Sequence, residues 1–152
     1  MEKATVKTIN LDSTVIAVGK TFTGDYAKSP QFITEVQNIL SKTSTAFVPN
    51  KALGVYYDNP EKKKAEELKC FQGVFLENGA DKFDSSLYKL TLKGNYLYTK
   101  VAGDTSKIIY DGYNAIFSHI QEHGIALKSH SGFQISTFEN NMLTIEIYME
   151  VL

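Results

Sequence analysis

Glu146 occupies a position that calls for an explanation. It lies in LTIEIYMEV (143–151), where Ile145, Ile147, Met149 and Val151 alternate with Thr144, Glu146, Tyr148 and Glu150. That alternation is the period-two pattern of a half-buried strand. A carboxylate between a threonine and a tyrosine either faces water, as on a one-sided antiparallel sheet, or is covered. If rings cover it, it loses hydration, and a lipophilic cation restores the missing countercharge. The same burial raises a glutamate's pKa toward the range of a general base, so a water-activating role follows from the same residue.

Other residue types point to chemistry less strongly. HIQEH (119–123) fits the H-x-x-E-H spacing in which two histidines share a zinc ion and a glutamate activates water. This copy falls in the last turn before Gly124 and leaves only 29 residues to supply a third ligand. Histidines at a helix C-terminus also complement the dipole, so no metal and no cofactor are expected. His130, in KSHSG, has no visible partner. Cys70 is the only cysteine, which excludes an intrachain disulfide and suits a buried inert thiol in a cytoplasmic protein.

The elements that must position these groups are strands and two helices. Extended segments run over 4–10 and 13–22, with Asp12-Ser13 suited to a turn between them. SPQFITEVQNILSK (29–42) is an amphipathic helix, with Ser29 as N-cap, Pro30 in the first turn and Phe32, Val36, Ile39 and Leu40 on one stripe. Strands over 51–58 and 68–76 follow, joined by a charged loop, and 77–85 reads as a linker. Then the order repeats: 87–92, a Lys-Gly-Asn turn, 96–103, a helix over 106–123, and strands over 132–138 and 142–151. The second helix carries Ile109, Tyr113, Ile116, Phe117 and Ile120 on one side, and Gly124 ends it.

Each half reads strand, strand, helix, strand, strand, with Gly24-Asp25 and Gly103-Asp104 before the two helices. This predicts one α+β domain built by duplication, with repeats of about 1–76 and 86–152, forming an antiparallel sheet with both helices on one face. The Ile145/Ile147/Met149 face should lie under the helices. The Glu146/Tyr148 face should look to the bare side, where a twisted sheet forms a groove.

With 16 lysines, no arginine and 17 acidic residues, the chain lacks the basic surplus that phosphate backbones select for and any guanidinium fork for anions. Direct nucleic-acid binding is not expected. No segment has the length and apolarity of a membrane span, and the opening residues carry no signal-peptide pattern, so no membrane partner and a cytoplasmic location are expected.

ALGVYYDNPEKKKAEELKCFQGVFL (52–76), VAGDTSKIIYDGYNAIFSHIQEHGI (101–125) and the ending LTIEIYMEV together resemble the GyrI-like small-molecule-binding domains. These are related to the effector-binding domains of multidrug-responsive activators and to gyrase-inhibitory proteins. The resemblance implies an aromatic-lined groove between the halves and a glutamate that pairs with cationic, lipophilic ligands. Some free-standing members are hydrolases of cyclopropane-containing compounds.

Residue by residue, the family's terminal-strand glutamate falls on Glu146, and its aromatic-aromatic-Asp-Xaa-Pro segment falls on Tyr56, Tyr57, Asp58 and Pro60. Two departures stand out: His119 occupies the place of a common tryptophan, and Glu150 that of a proline. All 152 residues are used by the two repeats, so a stand-alone member without a helix-turn-helix is expected.

The expectation is therefore a protein that captures hydrophobic, aromatic or cationic small molecules, anchored by Glu146, with Tyr57, Tyr98, Phe133 and Tyr148 as the nearest rings. The alternatives are a hydrolase using Glu146 with Tyr57, and a protein-interaction role of the gyrase-inhibitor kind. Ligand identity and oligomeric state are not legible in the residues.

Overall fold

The computed structural model describes residues 5–58, 60–77, 82–103 and 107–152, without the side chains of 12–15 and 129–131. Asn59, residues 78–81 of the expected linker, Asp104 and the His130 side chain lie outside the described residues. The order of elements is β1 (Val6–Thr23), α1 (Ser29–Lys42), β2 (Phe47–Tyr56), β3 (Lys69–Leu76), β4 (Tyr88–Gly103), α2 (Lys107–His123), β5 (Leu127–Glu139) and β6 (Met142–Val151). The class is α+β, with antiparallel pairing and two helices, and no helix among the described residues is long and apolar enough to cross a membrane.

The chain divides into two compact units, one of Met1–Thr14 with Lys93–Leu152 and the other of Val15–Leu92. In the Val15–Leu92 unit, β3 lies between β1 and β2, with Val18 opposite Val74 and Ala52 opposite Val74 on the other side. The helix-facing side carries Val18, Phe22, Cys70 and Val74, which pack with Val36 and Leu40 of α1. In the other unit, β6 lies between β4 and β5, and Ile145, Ile147 and Met149 pack with Leu97 and with Ile108 and Ile116 of α2. Alternation thus places one face of each central strand under a helix.

Among the described residues, the eight extended segments read from the sequence form six strands. Neither Asp12-Ser13 nor Lys93-Gly94-Asn95 closes a hairpin, because β1 and β4 run unbroken through them. Beyond those residues β1 pairs with β3 through Val18–Thr23, and β4 pairs with β6 through Tyr96–Gly103. Gly94 stays in its strand at φ +134°, a conformation open to glycine alone at little cost.

Helix α1 starts at Ser29, but Ser29 does not cap it. Its hydroxyl donates to the Tyr26 carbonyl at 2.7 Å, while Asp25 caps the preceding 3-10 turn by accepting from Ala27 N–H at 2.9 Å. Helix α2 ends as expected, with Gly124 at φ +61° and Ile125 N–H donating to the Ile120 carbonyl, the long bond of a Schellman cap. Its buried line is Ile108, Gly112, Ala115 and Ile116, and Phe117 is left 46% exposed. Small residues turn toward the sheet because the helix sits close: a Cβ on Gly112 would lie 2.6 Å from Ile147 Cδ1. Among the expected linker residues that are described, Phe83 packs on the α1 core, and Leu87 beside them is buried in it.

The tightest approach is between β1 and β3, where Gly19 faces Gly73. A Cβ on Gly19 would sit 2.0 Å from the Gln72 carbonyl oxygen and 2.6 Å from Gly73 Cα, both backbone atoms that cannot swing aside. Gly19→Ala is therefore expected to destabilise the protein by at least about 2 kcal/mol through overpacking. Urea denaturation measures this, and an unchanged midpoint with an unchanged slope would refute the close approach.

Candidate functional site on the Glu146 face

The side of β6 that faces away from α2 is organised in rows by strand register. Glu146 stands between Lys100 of β4 and Ile135 of β5, and Tyr148 stands between Tyr98 and Phe133. Tyr96 and Glu150 begin the next row. Tyr98 and Phe133, opposite Tyr148, are diagonal neighbours of Glu146, at a Cβ spacing of about 7–8 Å that long aromatic side chains can span.

The rings form one cluster. Phe133 and Tyr148 stack with centroids 4.3 Å apart at 8°, Tyr98 meets Tyr148 edge-on at 5.0 Å, and Tyr96 meets both Phe133 and Tyr148 edge-on. Offset and edge-to-face contacts suit the quadrupoles of such rings. Phe133, Tyr96 and Tyr148 are buried, whereas Tyr98 and Glu146 are half-buried.

Glu146 Oε2 accepts from the Tyr98 hydroxyl at 2.8 Å and from the Tyr148 hydroxyl at 3.4 Å. Among the described residues its hydrogen-bond partners are these phenols and no ammonium. Burial, followed by the hydrogen bond and charge of Glu146, pushes the Tyr98 hydroxyl well above its usual range. Burial and then the Glu146 charge push Tyr148 up to about 12. Both phenols therefore keep their protons and donate them to the carboxylate throughout the neutral range. Glu150 pairs with Lys128 at 3.2 Å, and its charge adds to the burial that raises Tyr96.

Four of the five sequence-derived ligand residues, Glu146, Tyr98, Phe133 and Tyr148, are thus brought together. Tyr57 belongs to the other unit and is 44% exposed, with its hydroxyl raised by burial and by Tyr88. The neighbouring Asp58 ties down the β2–β3 connection: one oxygen takes Lys63 Nζ at 2.9 Å and the other accepts Lys69 N–H at 2.8 Å, which holds its carboxyl below the usual range. Tyr56 packs edge-on against Tyr26 at 4.8 Å, so these two members of the aromatic-aromatic-Asp segment make structural contacts within their own unit.

Tyr96 was missed by the sequence reading, although it shares Tyr98's strand parity and could have been found by counting back two residues. His119 and His123 stack on each other at 4.2 Å, and His123 Nδ1 donates to the His119 carbonyl at 3.3 Å. The thiol of Cys70 is buried and accepts from Gln72 Nε2 at 3.6 Å, with burial raising its pKa.

An α+β architecture that presents a carboxylate among packed rings on one sheet face is built like a small-molecule-binding domain. The chain belongs to the GyrI-like small molecule binding domain family, whose model matches residues 8–152. Among solved structures it is similar to the EcmrR C-terminal domain, at 16% identity and TM-score 0.69 over 98% of this chain and 96% of that one. In an EcmrR–DNA complex the likeness covers 97% of this chain and 56% of that one. It is also similar to SAV2435 bound to tetraphenylphosphonium, at 16% identity and TM-score 0.54 over 100% of this chain and 94% of that one. A hydrolase from Listeria innocua is similar at 13% identity and TM-score 0.58, over 100% and 94% of the two chains. No curated protein matches the chain.

The Tyr148–Glu146 coupling has a measurable titration. Following phenolate absorbance, Tyr148 should ionise with a midpoint of about 12, and in Glu146→Gln that midpoint should fall part-way toward 10, since burial remains while the charge goes. A phenol raised on folding contributes stability that is complete below about 10 and is lost as pH rises through its folded value. Wild type should therefore lose stability between about 10 and 12, and the variant over a narrower interval. Identical titrations of the two proteins would mean that the carboxylate does not reach the phenols.

Proposed function

We propose that this protein captures hydrophobic small molecules, aromatic or cationic, on the Glu146 face, and that it does so in the cytoplasm. The observation that carries this reading is the half-buried Glu146 carboxylate held by two phenol donors among four packed rings. Phenols solvate the anion without cancelling its charge. A lipophilic cation arriving over the rings gains that charge as its counterpart, and each well-placed ring face adds roughly 0.5–2 kcal/mol. Membership of a small-molecule-binding family and the tetraphenylphosphonium held by the related SAV2435 support this choice of ligand class. The two units, each with a central strand under one helix, support reading the chain as a duplicated single domain.

A second reading rests on the 2.8 Å bond between Tyr98 and Glu146. A carboxylate beside a phenol that holds its proton is a base–acid pair, able to take a proton from water and return one to a leaving group. The related hydrolase from Listeria innocua supports keeping this chemistry in view. In this arrangement the acid partner is Tyr98, in place of the Tyr57 expected from the sequence.

Isothermal titration with tetraphenylphosphonium tests the first reading. Wild type should bind, and Glu146→Gln should weaken binding by at least about tenfold, or about 1.4 kcal/mol. Equal affinity in the two proteins would remove Glu146 as the anchor. Turnover of a strained cyclopropane electrophile by wild type, lost in Glu146→Gln and in Tyr98→Phe, would favour hydrolysis instead.

A further inference from the structure

Lys7 bears on the same face and was singled out by no sequence argument. Its ammonium lies over the Tyr98 ring, 5.4 Å from the centroid. Strand alternation in β1 explains how it gets there. Val6 packs into the α2-side core, so Lys7, the next residue, points to the opposite side, where the rings are. The backbone beside it is anchored, because buried Thr99 donates its hydroxyl to the Thr5 carbonyl at 2.8 Å. Lys7 itself is exposed, so the long side chain can leave the ring without unmaking any packing.

A cation on a ring whose hydroxyl binds a carboxylate is arranged as a bound cationic ligand would be. We propose that Lys7 is a tethered competitor for the cationic part of the ligand: it occupies the Tyr98 face in the empty protein and must be displaced by an incoming lipophilic cation. This rests on the binding function proposed above and adds a specificity device to it. Two costs fall on the ligand, the loss of the lysine's own cation–π contact and the repulsion between two positive charges near one ring. Both depend on the ligand's charge. Neutral aromatic ligands avoid the second cost. Lys7 would thereby hold down affinity for simple cations and favour ligands with enough ring area to compensate.

The test compares wild type, Lys7→Gln and Lys7→Arg by isothermal titration with tetraphenylphosphonium, and with triphenylphosphine oxide as a neutral probe of similar ring content. Lys7→Gln should bind the cation about three- to fivefold tighter, Lys7→Arg should match wild type, and the neutral probe should change by less than about twofold. Raising salt should shrink the difference between wild type and Lys7→Gln, because charge repulsion is screened. Equal or weaker cation binding by Lys7→Gln, with wild type still binding and Glu146→Gln still impaired, would overturn the role of Lys7 and leave the binding function standing. An equal gain for the neutral probe would also overturn it, since the lysine would then be a steric cover. Binding by Lys7→Gln where wild type shows none would support the role in its strongest form. If neither protein binds, both the binding function and the competitor role fall.

Discussion

Everything that distinguishes the Glu146 face depends on one carboxylate oxygen accepting from two phenols. Tyr98 reaches Oε2 at 2.8 Å and Tyr148 at 3.4 Å, from two different strands. A half-buried carboxylate without donors costs several kcal/mol in lost hydration. The two phenol donors stand in for that hydration. The donors in turn keep their protons because they lie against that charge and are themselves partly or largely withdrawn from water. The arrangement is self-consistent, and its requirement is an accurate strand register.

Register is enforced from the other side of the sheet. Ile145, Ile147 and Met149 are almost fully buried against α2, so a slip of one residue would exchange them with Glu146 and Tyr148. Such a slip would bury a carboxylate under a helix and expose three large apolar side chains. Gly112 sharpens the constraint, since the absence of its Cβ lets Ile147 seat directly beneath the helix. The packing that stabilises the unit is thereby also what aims the site. On this sheet side the polar Gln134 donates to the Tyr113 hydroxyl at 2.6 Å, and Thr99 to the Thr5 carbonyl at 2.8 Å.

How much of this was legible in the sequence follows from the range of each signal. The alternation in 143–151 is local and strong, so the two faces of β6, the glutamate and Tyr148 could be read directly. Tyr98 and Phe133 followed from the same parity on neighbouring strands. The hairpins at Asp12-Ser13 and Lys93-Gly94-Asn95 misled because turn propensity is also local, whereas these residues lie inside long strands whose further residues pair with positions some 50 apart, such as Val18 with Val74 and Tyr98 with Tyr148. Four of the five residues read as the α2 stripe, Ile109, Tyr113, Ile116 and Ile120, pack in or against that core, whereas Gly112 and Ala115 went unread because they do not register as hydrophobic, although smallness is what the contact requires. Lys7 was invisible for a related reason: nothing near it in the chain marks the ring it covers.

The two units also differ in a way that bears on where binding chemistry can reside. On the sheet side away from the helices, the Glu146 unit presents Lys100–Glu146–Ile135 and Tyr98–Tyr148–Phe133 across its three strands. The same two rows in the other unit read Thr21–Phe71–Val55 and Gly19–Gly73–Leu53. A phenylalanine stands where the carboxylate would be, and paired glycines stand where the two phenols would be. Phe71 instead packs its ring against that of Tyr88, with centroids 5.4 Å apart. Gly19 and Gly73 meanwhile bring backbones within van der Waals reach, which no aromatic pair could tolerate. One architecture thus carries two specialisations: close strand packing in one unit, and an anion held by rings in the other.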